Sequence, residues 1–324
     1  MWVYAGIDEA GYGPILGPLV VARSVFTIEG DAPECLPSLW MSMRGAVCRR
    51  AGDKQHRIAV NDSKLLYSAP MGLRHLERGV LGFLHAAGRH PASVDEILGM
   101  LGYDDASREI TLDWYRAAQG GPALPAGAEP AELERCAGRL SRAWEKGGLR
   151  LADLRAAVVF EDRFNRLVQD DCSKAACSWR FVAGHLRDIW ERYGEHDVQV
   201  IVDRQGGRQN YLDLLAALFP WTQLRLVKGE VRTSAYEVIG EGKRMRITMQ
   251  VESERAHLPA AFASMTAKYL RELLMLRFRA FWQERAPEVR SSAGYFGDGR
   301  RFLREIAPTL ETLGIERATL VRTR

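Results

Sequence analysis

Apolar residues of the β-branched and aromatic kind open the chain in two short stretches, 3–7 and 19–26. Between them runs Gly11-Tyr12-Gly13-Pro14-Ile15-Leu16-Gly17-Pro18. Apolar runs of that length, bounded by turn residues, predict a strand, a tight turn and a strand. Residues 29–61 carry no clear period and read as a loop-like region. Helical spacing returns near 68–87 and at 131–146, and the Gly/Pro/Ala-rich stretch 119–130 before the second helix reads as a surface connection. A helix pattern over 172–193 leads into the compact apolar run 198–203, expected as a strand, and then into a helix around 210–218. That alternation is the rhythm of an α/β core. Residues 224–252 are β-rich, with Gly240-Glu241-Gly242-Lys243 as the expected hairpin turn. A long helix over 258–285, a glycine loop at 294–299 and a last helix over 301–313 follow, with no repeat or low-complexity tail.

Three acidic residues interrupt this pattern at places that matter. Asp8 and Glu9 end the first strand directly before the glycine turn, and Asp203 ends the strand 198–203 before Gln205-Gly206-Gly207. In open α/β sheets the ligand site lies at the carboxyl ends of the strands. If these two strands are neighbours, three carboxylates share a small volume and repel one another unless cations are bound. Oxygen-only ligands favour magnesium or manganese over zinc. Two such ions about 4 Å apart would activate water and stabilise the leaving oxygen of a phosphodiester cleavage. The residues alone leave a second reading open, that of acidic pairs on solvated turns.

Composition narrows the picture only slightly. With 324 residues, 47% hydrophobic and 27% charged, the chain has the make-up of a globular protein of one large domain or two modest ones. No apolar run approaches the roughly 20 residues of a membrane helix, and the opening strand leaves no cleavable leader, so a cytoplasmic location is expected. The five cysteines (Cys35, Cys48, Cys136, Cys172, Cys177) are odd in number and lack a Cys-x-x-Cys pair, which points away from a disulfide framework or zinc site; Cys172 and Cys177 are expected simply to pack. A net charge of +4 is compatible with a phosphate-bearing partner. His56, His75, His85, His90, His185, His196 and His257 show no ligand spacing.

The run Gly6-Ile7-Asp8-Glu9-Ala10-Gly11-Tyr12-Gly13-Pro14, with Gly17-Pro18 and a hydrophobic strand after it, closely resembles the opening signature of the ribonuclease HII family, Asp-Glu-Ala-Gly-Arg-Gly-Pro with a second Gly-Pro. Asn61-Asp62-Ser63-Lys64-Leu65 resembles that family's Asp-Ser-Lys-Leu element. Ile201-Val202-Asp203 is similar to its third acidic strand, and Ala263-Ser264-Met265-Thr266-Ala267-Lys268 to its Ala-Ser-Ile-x-Ala-Lys helix, all in the family's order. Gly294-Tyr295, ahead of a basic helix, is similar to a late Gly-Tyr loop. The resemblance implies an α/β fold, a ribonuclease H-like mixed β-sheet flanked by helices, and an acidic site for Mg2+ or Mn2+. It further implies cleavage of the RNA strand of RNA/DNA hybrids, or at ribonucleotides embedded in duplex DNA, leaving a 3′-hydroxyl and a 5′-phosphate.

Carried across on matching positions, Asp8, Glu9 and Asp203 are three catalytic, metal-binding carboxylates. The family's fourth ends a strand ten residues before the serine of the Ala-Ser helix; counting back from Ser264 reaches Glu254. Glu230, in Lys228-Gly229-Glu230, is the rival, and Glu272 stands where the family has a later aspartate or else pairs with Lys268 at i,i+4. Gly11 and Gly13 would meet the 2′-hydroxyl through their backbone, Tyr12 would stack where the family's arginine meets a phosphate, Lys64 would meet a phosphate and Tyr295 the sugar. Against these roles stand a packed Tyr12, a solvated Lys64 and Tyr295 as a loop anchor.

The chain departs from the family pattern at Tyr12, where the family has arginine, and in a glutamate as fourth ligand. It is also longer than a minimal member, as one domain over 1–324 with insertions expected at about 29–61, 91–151 and 230–252. The alternatives to a ribonuclease are a catalytically silent relative that binds hybrid or structured nucleic acid, and a DNA-directed nuclease on the same fold.

Overall fold

The computed structural model describes residues 1–68, 70–116, 122–171, 173–204 and 207–323. The expectations for Cys172, for Gln205-Gly206 and for the start of the 119–130 connection lie outside the described residues.

The strands are β1 (Trp2–Ala10), β2 (Leu19–Ile28), β3 (Val47–Cys48), β4 (Ile58–Ala59), β5 (Leu149–Val159), β6 (Asp197–Asp203), β7 (Gln223–Gly229), β8 (Thr233–Gly240) and β9 (Lys243–Gln250). Seven of them form one mixed sheet in the order β5-β2-β1-β6-β9-β8-β7, while β3 and β4 pair in parallel by themselves. β1 runs antiparallel to β2 but parallel to β6, and β6 parallel to β9; the outer pairings are antiparallel.

Side chains alternate across this sheet and build a core on each face. Trp2 and Tyr4 of β1 join Val20, Ala22 and Phe26 of β2 under the helices Arg74–Ala86, Pro130–Gly147 and Leu258–Arg285. Val3, Ala5 and Ile7 pack on the opposite face with Val198, Val200 and Val202, beneath the helices Lys174–Tyr193 and Leu212–Leu218. The fold is therefore α/β, a mixed sheet flanked by helices. The start of Leu258–Arg285 crosses β1 at Gly6, where an added Cβ would lie 2.1 Å from Ala260 N; only glycine permits that approach. Among the described residues no helix is long and apolar enough to cross a membrane.

The long helix runs over the predicted 258–285. The β8–β9 turn is a two-residue loop in which Glu241 (φ 54°) and Gly242 (φ 73°) both take the left-handed conformation that tight hairpins need. Elsewhere the structure differs from the sequence pattern. The helix expected over 68–87 starts only at Arg74, after Pro70 and a left-handed Gly72. The loop-like 29–61 holds β3, β4 and a short helix, Leu39–Ser42. Residues 91–151 contain the helix Val94–Leu101 and the first residues of β5, a strand of the main sheet. Within 230–252, β9 lies between β6 and β8. The last helix is two, Phe296–Glu305 and Ala307–Leu313, so Gly297-Asp298-Gly299 is helical where a loop was expected.

Candidate acidic active site

The parallel register of β1 on β6 pairs Ile7 with Val202, so one step further Asp8 stands beside Asp203 at the carboxyl ends of adjacent strands. Alternation turns Asp8 toward the long helix, on the face of Tyr4, and sends Glu9 to the other face. Asp8 is 8% exposed; its Oδ1 accepts a hydrogen bond from Glu9 N (2.7 Å) and its carboxylate another from the Ser264 hydroxyl. Ser264 Oγ is itself 3.1 Å from Ser63 Oγ. Burial, then the negative charges of Asp203 and Glu9, push the Asp8 carboxyl well above the usual range, against the opposing effect of these hydrogen bonds.

Asp203 is pushed up as well, chiefly by burial, while hydrogen bonds from Ser253 and the charge of Lys64 oppose the rise. Ser253 N donates to Asp203 Oδ1 at 3.0 Å from a turn that leaves β9 through a left-handed Glu252 (φ 55°) and continues as the 3₁₀ segment Ser253–Arg255. That turn buries Glu254, whose carboxyl rises through burial and the charges of Asp203 and Asp62, offset in part by Lys64. Asp62 accepts from Lys64 N (2.9 Å) and so caps the helix Ser63–Leu66. Strands, 3₁₀ turn and capped helix thus bring Asp8, Asp203, Glu254, Asp62 and Lys64 into one electrostatic neighbourhood.

The donor chemistry fits a hard divalent cation: every candidate ligand is a carboxylate oxygen, and a cation would offset both the burial of Asp8 and the repulsion from Asp203 and Glu9 that raise its carboxyl. Among the described residues these carboxylates do not close, as a set of three, to within 4.8 Å of one another.

The glycine turn borders this site and is held from beneath. Gly11 has φ +86°, and a Cβ there would lie 2.6 Å from Pro18 O. The buried Arg322 guanidinium donates to Gly11 O and Pro14 O, and Arg271 Nη2 to Leu16 O at 3.1 Å. Buried Glu161 accepts from Gly17 N (2.9 Å) and from the Tyr115 hydroxyl (2.7 Å). Gly294 O accepts from Ile15 N (2.8 Å) and Leu16 N (3.3 Å), which fastens the Gly294-Tyr295 segment to the turn. Tyr295 itself is 59% exposed. Tyr12 is half-buried, its phenol pushed up by burial and by the charges of Glu9 and Cys177, with Lys174 Nζ 5.6 Å above its ring. Gly13 is exposed, and a Cβ there would meet nothing within 4 Å.

No protein-family model matches the chain, and no curated protein does. Among solved structures it is similar to ribonucleases H of type 2 and 3. The ribonuclease HII of Archaeoglobus fulgidus, solved in complex with PCNA, is 14% identical with a TM-score of 0.41, over 99% of this chain and 94% of that one. The ribonuclease H2 of Pyrococcus horikoshii OT3 is 13% identical with a TM-score of 0.40, over 99% and 92%. Bst-RNase HIII in complex with Mn2+ is 14% identical with a TM-score of 0.40, over 99% and 66%. Likeness this distant carries no argument about chemistry, which rests on the geometry above.

Of the sequence-derived candidates, then, Asp8, Asp203 and Glu254 come together, Glu9 sits at the same strand end on the opposite face, and Lys64 borders the acidic group. Glu230 pairs with Lys228 (3.0 Å) in the β7–β8 turn at the outer end of the sheet. Glu272 is buried and engaged by the Tyr67 hydroxyl (2.6 Å) and Lys268 (2.8 Å); burial raises its carboxyl, but Lys268 and these hydrogen bonds hold it below the usual range. Sequence reading assigned no role to Asp62, Ser253 or Ser264. Asp62 and Ser264 lay inside quoted motifs, whereas Ser253 acts through its backbone and gives no residue-type signal. Spacing also failed to join His85, His90 and Glu134, whose ligand atoms lie within 4.8 Å of one another because two helices meet there.

Proposed function

We propose that this chain is a divalent-metal-dependent endoribonuclease that hydrolyses the RNA strand of RNA/DNA hybrids, or ribonucleotides embedded in duplex DNA, as a cytoplasmic enzyme. The observation that carries the proposal is the parallel β1–β6 register, which puts the buried Asp8 beside the half-buried Asp203, whose charge opposes its own, next to a glycine turn. The motif resemblance to ribonuclease HII supports the same reading.

Asp8, Asp203 and Glu254 would hold Mg2+ or Mn2+, with Glu9 reaching from the strand end. Bound there, the ions would supply an activated water and neutralise charge on the leaving oxygen. The Ser264 hydroxyl orients Asp8, and Ser253 N orients Asp203. The glycine turn, fixed by Arg322, Arg271 and Glu161, offers backbone where a ribose 2′-hydroxyl can approach Gly11 and Gly13. Lys64 meets a phosphate, and Tyr295, exposed and fastened to the same turn, packs on the sugar.

The test is incubation of three labelled duplexes, all-DNA, single-ribonucleotide and RNA/DNA hybrid, with Mg2+, Mn2+ or chelator, beside an Asp8→Asn control. Ribose-dependent cutting lost in chelator and in the variant is the expected result. Tyr12 in place of arginine favours the second reading, a silent binder, and hybrid binding without cutting would establish it. Cutting of the all-DNA duplex would instead mark a DNA-directed nuclease.

A further inference from the structure

Away from the acidic site, the helix Pro130–Gly147, residues 41–45 ahead of β3 and the segment between β3 and β4 line an open cleft of about 960 Å³. Arg139, Arg142 and Lys146 line it from the helix, and Arg44, Lys54 and His56 from the opposite wall; no aspartate or glutamate takes part in the lining. Arg135, Arg139, Arg142 and Lys146 are spaced four, three and four residues apart and so share one helix face, a row of like charges that repel in the absence of a counter-charge. Among the described residues, Arg44, Lys54, Arg142 and Lys146 form no ion pair within the protein.

The acids closest in sequence do not cancel this charge. Asp53 is engaged by Arg57 (2.7 Å), Glu132 is buried against Arg74 and Arg78, and Glu145 lines the neighbouring cleft. The walls are fixed to each other, since Arg139 Nη1 donates to Gln55 O (2.6 Å) and Arg78 Nη2 to His56 O (2.9 Å).

We infer that this cleft binds the phosphate backbone of a nucleic-acid duplex, as a second contact outside the acidic site. The wall segment continues through β4 into Asn61 and Asp62, and Asn61 Nδ2 donates back to Arg49 O (2.9 Å). Six Cα–Cα steps lead from His56 to Asp62, so the two Cα atoms are at most roughly 21 Å apart, a span of about six base pairs of duplex. One duplex can therefore reach both places. The inference rests on the proposed function for its choice of duplex, but its own observation is the unpaired charge of the cleft.

The test is equilibrium binding of a labelled RNA/DNA hybrid in chelator, where no cutting occurs, across a salt series. Arg142→Gln with Lys146→Gln removes exposed charges on the helix wall, and Arg44→Gln with Lys54→Gln repeats the test on the other wall. Arg187→Gln with Arg317→Gln removes the same charge from exposed positions elsewhere. Each cleft pair is expected to weaken binding about tenfold or more at low salt and to flatten the slope of log K against log salt by roughly two, with the control pair unchanged. An unchanged slope in both cleft pairs, or an equal fall in the control pair, would overturn the inference. Inorganic tripolyphosphate is the second probe; if the cleft variants lose tripolyphosphate binding while hybrid binding is intact, the occupant is a small polyphosphate and the duplex assignment is wrong. Failure of the nuclease reading would appear separately, as normal binding in chelator without cutting in Mg2+.

Discussion

Asp8→Asn removes the charge that burial, Asp203 and Glu9 oppose, while it keeps the side-chain size. A carboxyl whose folded pKa is raised contributes stability below its unfolded value and loses it as pH rises through the folded one. In chelator the variant should therefore be more stable than the parent near neutral pH, and the gain should vanish below about pH 4. With Mg2+ or Mn2+ its cutting should fall by about a thousandfold or more, because a ligand is lost where it matters most. Equal melting at both pH values would mean that Asp8 carries no such burden. The fourth carboxylate is decided in the same assay. Glu254→Gln, beside Asp203 and Asp62, should lose most turnover, whereas Glu230→Gln, paired with Lys228 at the sheet edge, should keep it. The reverse ranking would place the ligand on the β7–β8 turn.

The elements around the site show which parts of the fold were legible in the sequence. β1, β2 and β6 announced themselves as β-branched runs between turn residues, and the acids at the carboxyl ends of β1 and β6 marked the candidate site before any pairing was known. The strand β5 did not announce itself, because Leu149–Val159 is rich in leucine, alanine and arginine, residues that favour helix in isolation; pairing with β2 overrides that preference. The supports of the glycine turn were equally hidden. Arg322, Glu161 and Arg271 come from remote parts of the chain, and nothing local marks them as neighbours of Gly11 and Gly17. Within the turn the first two glycines should behave differently. Gly11→Ala, with a left-handed φ and a clash against Pro18 O, should cost about 1–3 kcal/mol in thermal or denaturant unfolding. Gly13→Ala meets open space and should unfold like the parent, yet slow cutting if a ribose passes there. Parent-like rates in Gly13→Ala would move the ribose away from that residue.

At the scale of the whole molecule, the two faces of the sheet are each closed by a histidine held neutral. His185 Nε2 lies 3.0 Å from Val21 O, and burial, with the charge of Arg23, lowers its pKa to about 3. His257 lies between the Tyr4 hydroxyl (2.6 Å) and Gln250 Oε1 (3.2 Å), and burial lowers its pKa to about 4. Neither was legible in the sequence, where both were lone histidines without ligand spacing. On acidification below about 6.5 the unfolded chain takes up protons at both positions while the folded chain does not, so stability should fall with pH, through about 4 for His257 and on toward 3 for His185. Glu161 acts in the opposite sense. Burial raises its carboxyl to about 6, so its burden is relieved as pH drops from there toward 4.5. Asp8, Asp203 and Glu254 act in the same sense as Glu161, so the histidine contribution is read from the difference between parent and variant. Melting of the parent and of His185→Gln from pH 7 to pH 3 separates these contributions, because the amide can still donate to Val21 O but does not titrate. The variant should show a shallower acid limb; parallel curves would mean that His185 is protonated in the folded state and that the face of the sheet beneath Lys174–Tyr193 admits charge.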